Sequence, residues 1–170
     1  MQIRLQELAT MPGYRAHFDY TTDLSQEEVG FEFPFQEPVR LEGVVSDDEG
    51  AITLYATIYA HVTTRCARCG KPVEYDKETD VEFLLVRDAA GSEDDMDDDV
   101  YLVESDVVEL DEILIPELLL DMEMSVLCDE DCKGLCFKCG QNLNLGSCGC
   151  VTKDVDPRLA VLQKFLDSNK

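Results

Sequence analysis

Apolar and polar residues alternate most regularly in the middle of the chain, between residues 39 and 87. Every second residue from Ile52 to Val62 is apolar, and polar or aromatic residues stand between them. A period of two over about a dozen residues predicts a β-strand with one buried face. Similar alternation over residues 39–46 and 73–85 predicts further strands, and the last of these forms a long antiparallel hairpin with residues 52–65.

Two helices are predicted from apolar residues at helical spacing. The first covers residues 111–122 with Asp111 as its N-cap, and its apolar stripe consists of Ile113, Leu114, Leu118 and Leu119. Pro116 is tolerated only near a helix start, which favours a start later than Asp111. The second is a short terminal helix that begins at Asp156 and Pro157. Its stripe packs on the protein's own core or in a partner's groove, and consists of Leu159, Leu162, Phe165 and Leu166.

The first 38 residues indicate short elements. Apolar positions predict one short strand or helix near Ile3 and Leu5 and another element near Phe18 and Tyr20. Proline cannot donate a backbone hydrogen bond, so any strand through the alternating phenylalanines of residues 31–35 is restricted to a sheet edge.

The chain has eight cysteines in four close pairs. The N-terminal residues lack the uninterrupted apolar stretch of a signal peptide, and no apolar run approaches the length of a transmembrane helix. We therefore expect a cytoplasmic protein, in which clustered cysteines are more often metal ligands than disulfides. Two close pairs commonly bind one structural zinc ion. The pairs are Cys66 and Cys69, Cys128 and Cys132, Cys136 and Cys139, and Cys148 and Cys150.

The spacing also predicts which cysteines share an ion. One site can close locally, from Cys136, Cys139, Cys148 and Cys150. The remaining four would tie the hairpin tip to the segment after the first helix, and are Cys66, Cys69, Cys128 and Cys132. Gly70 and Gly140 follow the second cysteine of the two Cys-x2-Cys pairs, where such turns often need a positive φ. We expect two structural zinc ions, each with four cysteine ligands.

Other chemistry fits these residues less well. A redox Cys-x2-Cys is expected at a helix N-terminus, whereas Cys66 follows a strand, and an iron–sulfur cluster conflicts with two separated sets. A catalytic zinc keeps an open position and usually has histidine or carboxylate ligands, but His61 is expected to be a sheet residue. No nucleophile–base pair or phosphate-binding glycine loop is recognisable, so we expect a binding protein rather than an enzyme.

The charge is strongly negative, because 37 Asp and Glu against 14 Lys and Arg give a formal net charge of −23. Such a surface repels phosphate backbones and anionic membranes, so basic proteins are the favoured partners. Residues 88–132 hold 18 of the 37 acidic residues and contain no Lys, Arg or His. The densest run predicts either a contact for a basic partner or a solvated loop. The candidate contact residues are Asp94, Asp95, Asp97, Asp98 and Asp99.

Six of the 14 basic residues lie close to cysteines in the sequence: Arg65, Arg68, Lys71, Lys133, Lys138 and Lys153. One interpretation is support for the metal sites, since cationic groups near zinc-bound sulfur stabilise its charge. The other is a small RNA contact, for which the candidates are Arg65, Arg68 and Lys138.

Four strings of the sequence carry a family resemblance: CARCGKP at residues 66–72, CKGLCFKCGQNLN at 132–144, CGC at 148–150 and DPRLAVL at 156–162. They resemble the YceD family, bacterial and plastid proteins described as large ribosomal RNA subunit accumulation proteins. The resemblance covers roughly residues 39–166. It implies a cytoplasmic factor needed for normal levels of large-subunit (23S) ribosomal RNA, without an established enzymatic activity.

The predicted fold is α+β: an antiparallel sheet with a long hairpin, a central helix, a zinc-held C-terminal segment and a short terminal helix. The predicted divisions are a core domain at residues 1–127, a zinc-binding segment at 128–155 and a docked helix at 156–170. We expect a ribosome biogenesis factor that acts as an acidic adaptor for a basic ribosomal protein or a large-subunit assembly intermediate. The alternatives are a zinc-knuckle protein that contacts RNA and, less favoured, a thiol redox protein.

Overall fold

A five-stranded β-sheet forms the centre of the molecule. The computed structural model describes residues 1–9, 14–48, 50–86, 99–103 and 105–150. Most regular structure in this part is strand, with few helical residues. The elements in chain order are β1 (Gln2–Arg4), α1 (Leu5–Ala9), β2 (Arg15–Thr22), β3 (Val39–Asp48), β4 (Ala51–Arg65), β5 (Pro72–Val86), β6 (Val100–Leu102), β7 (Val107–Glu109) and α2 (Leu110–Leu120).

The strand order in the main sheet is β2-β3-β4-β5-β6. The first four strands pair antiparallel, whereas β6 pairs parallel with β5. The prediction of an antiparallel sheet is therefore wrong at this edge, and the sheet is mixed. Parallel strands need a connection of a dozen or more residues, and residues 87–99 supply that length between β5 and β6. A second, two-stranded sheet pairs β1 with β7.

Strands β4 and β5 form the long hairpin that the sequence predicts. They pair from Ile52 opposite Leu85 to Arg65 opposite Pro72. Because side chains alternate across a strand, every second residue of β4 faces the core. The buried residues are Ile52, Leu54, Ala56, Ile58, Ala60 and Val62.

Helix α2 contacts β4 and β5 and contributes to the apolar core. Its buried residues are Leu110, Ile113, Leu114 and Leu118. The helix begins at Leu110 with Glu109 as N-cap and contains Pro116, so the prediction of a later start is wrong. An interior proline costs about 3 kcal/mol or more. Burial of four large apolar side chains, each worth roughly 1.5–3 kcal/mol, offsets that cost.

The first 38 residues form β1, α1 and β2, followed by a segment with little regular structure. Near the phenylalanine run, an isolated bridge joins Val29 to Glu32 instead of a continuous strand. Phe35 is fully buried whereas Phe31 is 96% exposed, so the apolar alternation here did not produce a strand.

Several predicted features lie outside the described residues. These are the terminal helix with its docking, the end of the 128–155 segment and the acidic residues 94–98. The predicted divisions of the chain therefore stay predictions. In the described part, no helix is long and apolar enough to cross a membrane.

Candidate metal centres and an acidic sheet face

The first cysteine pair lies in the turn that joins β4 to β5. The backbone N–H of Cys66 donates to the carbonyl of Lys71 (2.8 Å), and the N–H of Gly70 donates to the carbonyl of Cys66 (2.9 Å). Gly70 has a φ of +70°, the positive value that the sequence predicts. These bonds form a tight turn that holds the sulfur atoms of Cys66 and Cys69 within 4.8 Å of each other.

The second Cys-x2-Cys pair, Cys136 and Cys139, repeats this turn. The N–H of Cys136 donates to the carbonyl of Gln141 (2.8 Å), and the N–H of Gly140 donates to the carbonyl of Cys136 (2.8 Å). The φ of Gly140 is +72°. The same bonds recur in two different surroundings, so the local Cys-x2-Cys-Gly sequence determines the turn.

The eight cysteines form two groups of four, in the grouping that chain closure predicts. Group A consists of Cys66, Cys69, Cys128 and Cys132, and group B of Cys136, Cys139, Cys148 and Cys150. Within each group the sulfur atoms lie within 4.8 Å of one another, and all eight thiols are free of disulfides. Group A connects the hairpin tip with the segment after α2, where the N–H of Ala67 also donates to the carbonyl of Val126 (2.9 Å).

The distances in group A fit a tetrahedral metal ion. Zn–S bonds of about 2.3 Å place tetrahedral sulfur atoms roughly 3.8 Å apart. The Sγ atoms of Cys66 and Cys132 are 3.8 Å apart, and those of Cys69 and Cys128 are 3.5 Å apart. Four convergent thiols favour metal ligation over a two-cysteine redox centre. Both groups can therefore hold a metal ion.

Hydrogen bonding makes some thiols far more acidic than their neighbours. The backbone N–H of Cys128 is the main cause that lowers the pKa of Cys66 to about 6, and that of Cys139 does the same for Cys136. In contrast, the hydrogen bond with Cys69 raises the pKa of Cys128 to about 12. The thiols of one group therefore differ in how readily they ionise, and a bound divalent cation would favour the thiolate form of all four.

Asn144 supports group A from outside the ligand set, although no sequence pattern predicts this contact. Its Nδ2 donates to Sγ of Cys132 (3.3 Å), and its Oδ1 accepts from the N–H of Lys133 (2.8 Å). The hydrogen bond from Asn144 lowers the pKa of Cys132, because a donor stabilises the thiolate. A single asparagine in a turn is not part of a spacing motif. Its contact with Cys132 therefore cannot be predicted from the sequence and is seen only in the folded chain.

The three candidate RNA-contact residues lie in different settings. Nη1 of Arg68 donates to the carbonyl of Cys132 (2.9 Å), so Arg68 joins the hairpin tip to the segment that carries group A ligands. Nε of Arg65 lies 3.6 Å from the carboxylate of Glu32. Lys138 is exposed in the second cysteine turn. The geometry of Arg68 favours the support interpretation for that residue.

His61 lies on the outer face of β4 and outside both cysteine groups, in agreement with the prediction. Its Nδ1 is 2.8 Å from Oδ1 of Asp76. Among the candidate acidic contacts, Asp99 is exposed, and its carbonyl accepts from the N–H of Leu84 in β5 (2.8 Å). The other four candidates lie outside the described residues.

The outer face of β5 carries a row of exposed carboxylates. Side chains at every second strand residue share one face and lie about 6.6–6.8 Å apart. Lys77, which interrupts the row in sequence, faces the opposite side, where its Nζ is 2.8 Å from Asp121. We call this row the acidic sheet face, and it consists of Glu74, Asp76, Glu78, Asp80 and Glu82.

Each carboxylate of the acidic sheet face lies opposite a hydroxyl or imidazole group of β4. Oγ1 of Thr57 donates to Asp80 (2.8 Å), and the hydrogen bond with Glu82 raises the pKa of Tyr55. Within the described part, no Lys or Arg forms an ion pair with the row. Like charges without a Lys or Arg counter-charge cost stability, so this face is a candidate for binding a positively charged partner. The opposing residues are Thr63, His61, Tyr59, Thr57 and Tyr55.

A hollow lies beside the acidic sheet face. A cavity of about 890 Å³ lies there, and Asp19, Glu42, Tyr55 and Asp80 are among its lining residues. A Cβ at position 43 would lie 2.2 Å from the carbonyl oxygen of Tyr55. Gly43 pairs with Phe18 and Ala56, which are buried on the core side, so a side chain at position 43 would clash in the core rather than fill the hollow.

Comparison with known proteins connects the chain to one family. The family model described as "Large ribosomal RNA subunit accumulation protein YceD" matches residues 54–166, a region that includes all eight cysteines. No solved structure matches the chain.

Three relatives illustrate how far the similarity extends. A Bacillus subtilis (strain 168) protein named uncharacterized protein YlbN is 29% identical over 168 residues, which cover 98% of this chain and 96% of that protein. An uncharacterized protein of Mycobacterium tuberculosis (strain ATCC 25618 / H37Rv) is 32% identical over 124 residues, or 72% of this chain and 59% of that one. The Arabidopsis thaliana protein named large ribosomal RNA subunit accumulation protein YCED homolog 1, chloroplastic, is 28% identical over 152 residues, or 74% and 47%.

Proposed function

This chain belongs to the YceD family, and from that premise we propose that it supports the accumulation of large-subunit (23S) ribosomal RNA in the cytoplasm. The proposal extends to this chain the role stated in the name of the plant relative. The protein acts by binding rather than by catalysis, as an acidic adaptor for a basic ribosomal protein or a large-subunit assembly intermediate. Groups A and B each hold a structural zinc ion.

The observation that carries the adaptor proposal is the acidic sheet face. Its five carboxylates are exposed and, in the described part, have no Lys or Arg partner. Proteins that bind ribosomal RNA are basic because they neutralise phosphates, so their charge is complementary to this face. An extended basic segment with Lys or Arg at every second position has the same side-chain spacing as β5. Complementary charge speeds association and selects partners.

The acidic loop predicted from the sequence belongs to the same proposal. Asp99 is the last residue of this acidic run. Its carbonyl accepts from the N–H of Leu84, so the run ends next to β5, at the edge of the main sheet. The loop residues 94–99 and the five residues of the acidic sheet face do not overlap in the sequence. Mutating each set separately can therefore distinguish their contributions to partner binding.

Two variants with equal charge change compare these surfaces. The sheet-face variant carries Glu74→Gln, Asp76→Asn, Glu78→Gln, Asp80→Asn and Glu82→Gln. The loop variant carries Asp94→Asn, Asp95→Asn, Asp97→Asn, Asp98→Asn and Asp99→Asn. We expect both to associate more slowly with basic large-subunit ribosomal proteins, the sheet-face variant more so, with on-rates that depend less on ionic strength. On-rates at two salt concentrations measure this.

The result that contradicts the adaptor proposal is wild-type on-rates and wild-type salt dependence in both variants. Urea unfolding of each variant checks that the fold is retained. In cells, the sheet-face variant should lower the amount of 23S ribosomal RNA at an unchanged amount of the protein itself.

Direct contact with RNA is the second candidate, and one observation favours it. Residues 132–150 contain no Asp or Glu but include Lys133 and Lys138, and the ring of Phe137 is 73% exposed. Exposed aromatic rings stack on unpaired bases, and lysines neutralise phosphates. Binding of the full chain to bare 23S ribosomal RNA, weakened by Arg65→Ala, Arg68→Ala and Lys138→Ala but not by the sheet-face variant, would favour this candidate.

A further inference from the structure

A loop that belongs to group B supplies a hydrogen-bond donor to group A. Residues 140–147 join the two cysteine pairs of group B, and Asn144 lies within them. Its Nδ2 donates to Sγ of Cys132 at 3.3 Å, and its Oδ1 accepts from the N–H of Lys133 at 2.8 Å. Both the nitrogen and the oxygen of the side-chain amide have a partner. Cys132, a group A cysteine, and its neighbour Lys133 therefore fix the orientation of Asn144.

Backbone contacts attach the same loop to the chain between the two groups. The N–H of Leu143 donates to the carbonyl of Gly134 (2.9 Å), and Leu135 forms an antiparallel bridge with Asn142. On its other side, Gly134 packs against Arg68, where an added Cβ would lie 3.1 Å from the Arg68 carbonyl oxygen. Residues 132–135 are therefore held between the hairpin tip and the group B loop.

The group B loop has no apolar core of its own. None of residues 137–150 is buried, and Leu145 is 88% exposed. A segment without buried side chains gains too little from packing to offset its conformational entropy. Its two ends are the cysteine pairs of group B, so metal binding there is the interaction able to order the loop.

We propose that the two metal sites are coupled through Asn144. When group B binds its metal ion, the ordered loop places Asn144 against Cys132, and the affinity of group A for metal increases. Asn144 is a positioning residue, because it orients a ligand and stabilises its thiolate without binding the ion. By thermodynamic reciprocity, metal in group A strengthens binding in group B by the same factor. The inference rests on metal binding by both groups and is independent of the acidic sheet face.

Zinc titration of the full-length apo protein against a competing chelator tests this coupling. Amide NMR signals of residues 66–70 report the occupancy of group A, and those of residues 136–140 report group B. Asn144→Ala should lower the affinity of group A about tenfold, the lower end of the effect of losing such an outer partner. Gln141→Ala is the matched control in the same loop, since it keeps the backbone carbonyl that Cys136 uses, and should leave the affinity unchanged.

The variant with Cys148→Ser and Cys150→Ser removes metal from group B. It should lower the affinity of group A at least tenfold, and adding Asn144→Ala to it should change little, because the unordered loop no longer positions Asn144. Equal affinities of group A with and without group B ligands would overturn the coupling, as would a full tenfold loss from Asn144→Ala in the serine background. A wild-type stoichiometry below two would also overturn it, while leaving the adaptor proposal and its salt dependence intact.

Discussion

At the scale of single residues, Gly43 is the described glycine least able to accept a side chain. An added Cβ would lie 2.2 Å from the Tyr55 carbonyl oxygen and 2.7 Å from a ring carbon of Phe18. Gly43→Ala should lower the free energy of unfolding by about 1–3 kcal/mol, the usual cost of overpacking. Urea unfolding measures the change. Gly149→Ala, which meets nothing within 4 Å, is the control, and equal losses in the two variants would contradict the packing argument.

His61 links the stability of the hairpin to pH. The hydrogen bond with Asp76 is the main cause that raises the pKa of His61 above its ordinary value of 6.5. The folded state therefore binds the proton more tightly, so the stabilisation is complete below about pH 6.5 and is lost as pH rises through the raised pKa. Asp76→Asn should lower the pKa of His61 in an NMR titration and weaken this pH dependence. An unchanged His61 pKa in the variant would refute the assignment.

At the scale of elements, we expect the segment that carries group B to depend on metal rather than on packing. Structural zinc contributes on the order of 10 kcal/mol or more of apparent binding free energy in finger peptides. Cys136→Ser or Cys148→Ser should therefore abolish amide-exchange protection across residues 136–150, part of the predicted 128–155 segment, while β4 and β5 stay protected. Ser147→Ala, an exposed neighbour of Cys148, serves as the control. Native protection of residues 136–150 in either cysteine variant would show that the metal is not structural.

Helix α2 and strand β6 show where local rules predict an element and where they fail. The apolar stripe predicted α2, but the proline rule placed its start too late, because burial of Leu114 and Leu118 against the core outweighs one lost hydrogen bond. For β6, the three residues of the strand do not indicate whether it pairs parallel or antiparallel with its neighbour. Its parallel pairing with β5 is a feature of the tertiary structure.

At the scale of the whole molecule, metal content tests the arrangement of both groups at once. The purified protein should contain close to two zinc ions per chain, because each group offers four convergent sulfur atoms. Elemental analysis and native mass spectrometry measure the number. A chelator should release both ions and expose eight reactive thiols. Absence of metal with free or oxidised thiols would defeat the prediction, and one ion per chain would mean that one group does not bind.

By itself, the sequence determined the features that arise between near neighbours along the chain. Alternation over residues 52–62 predicted the buried face of β4, since side chains of a strand point to opposite faces. The Cys-x2-Cys-Gly strings predicted both cysteine turns, because their hydrogen bonds join residues four or five positions apart. Because the group B cysteines are close together in the sequence, they can form one site by themselves. The remaining four cysteines were therefore predicted to form group A.

Tertiary structure alone decided the features that depend on register and on chain return. The row Glu74 to Glu82 was present in the sequence, but the register decided its surroundings. It lies opposite hydroxyl and imidazole groups, has no Lys or Arg partner among the described residues, and leaves Lys77 to face Asp121. Likewise, Asn144 reaches Cys132 because the group B loop folds back over residues 132–135. Such contacts join residues whose separation along the chain carries no periodic signal, so they follow from packing of the whole molecule rather than from local preference.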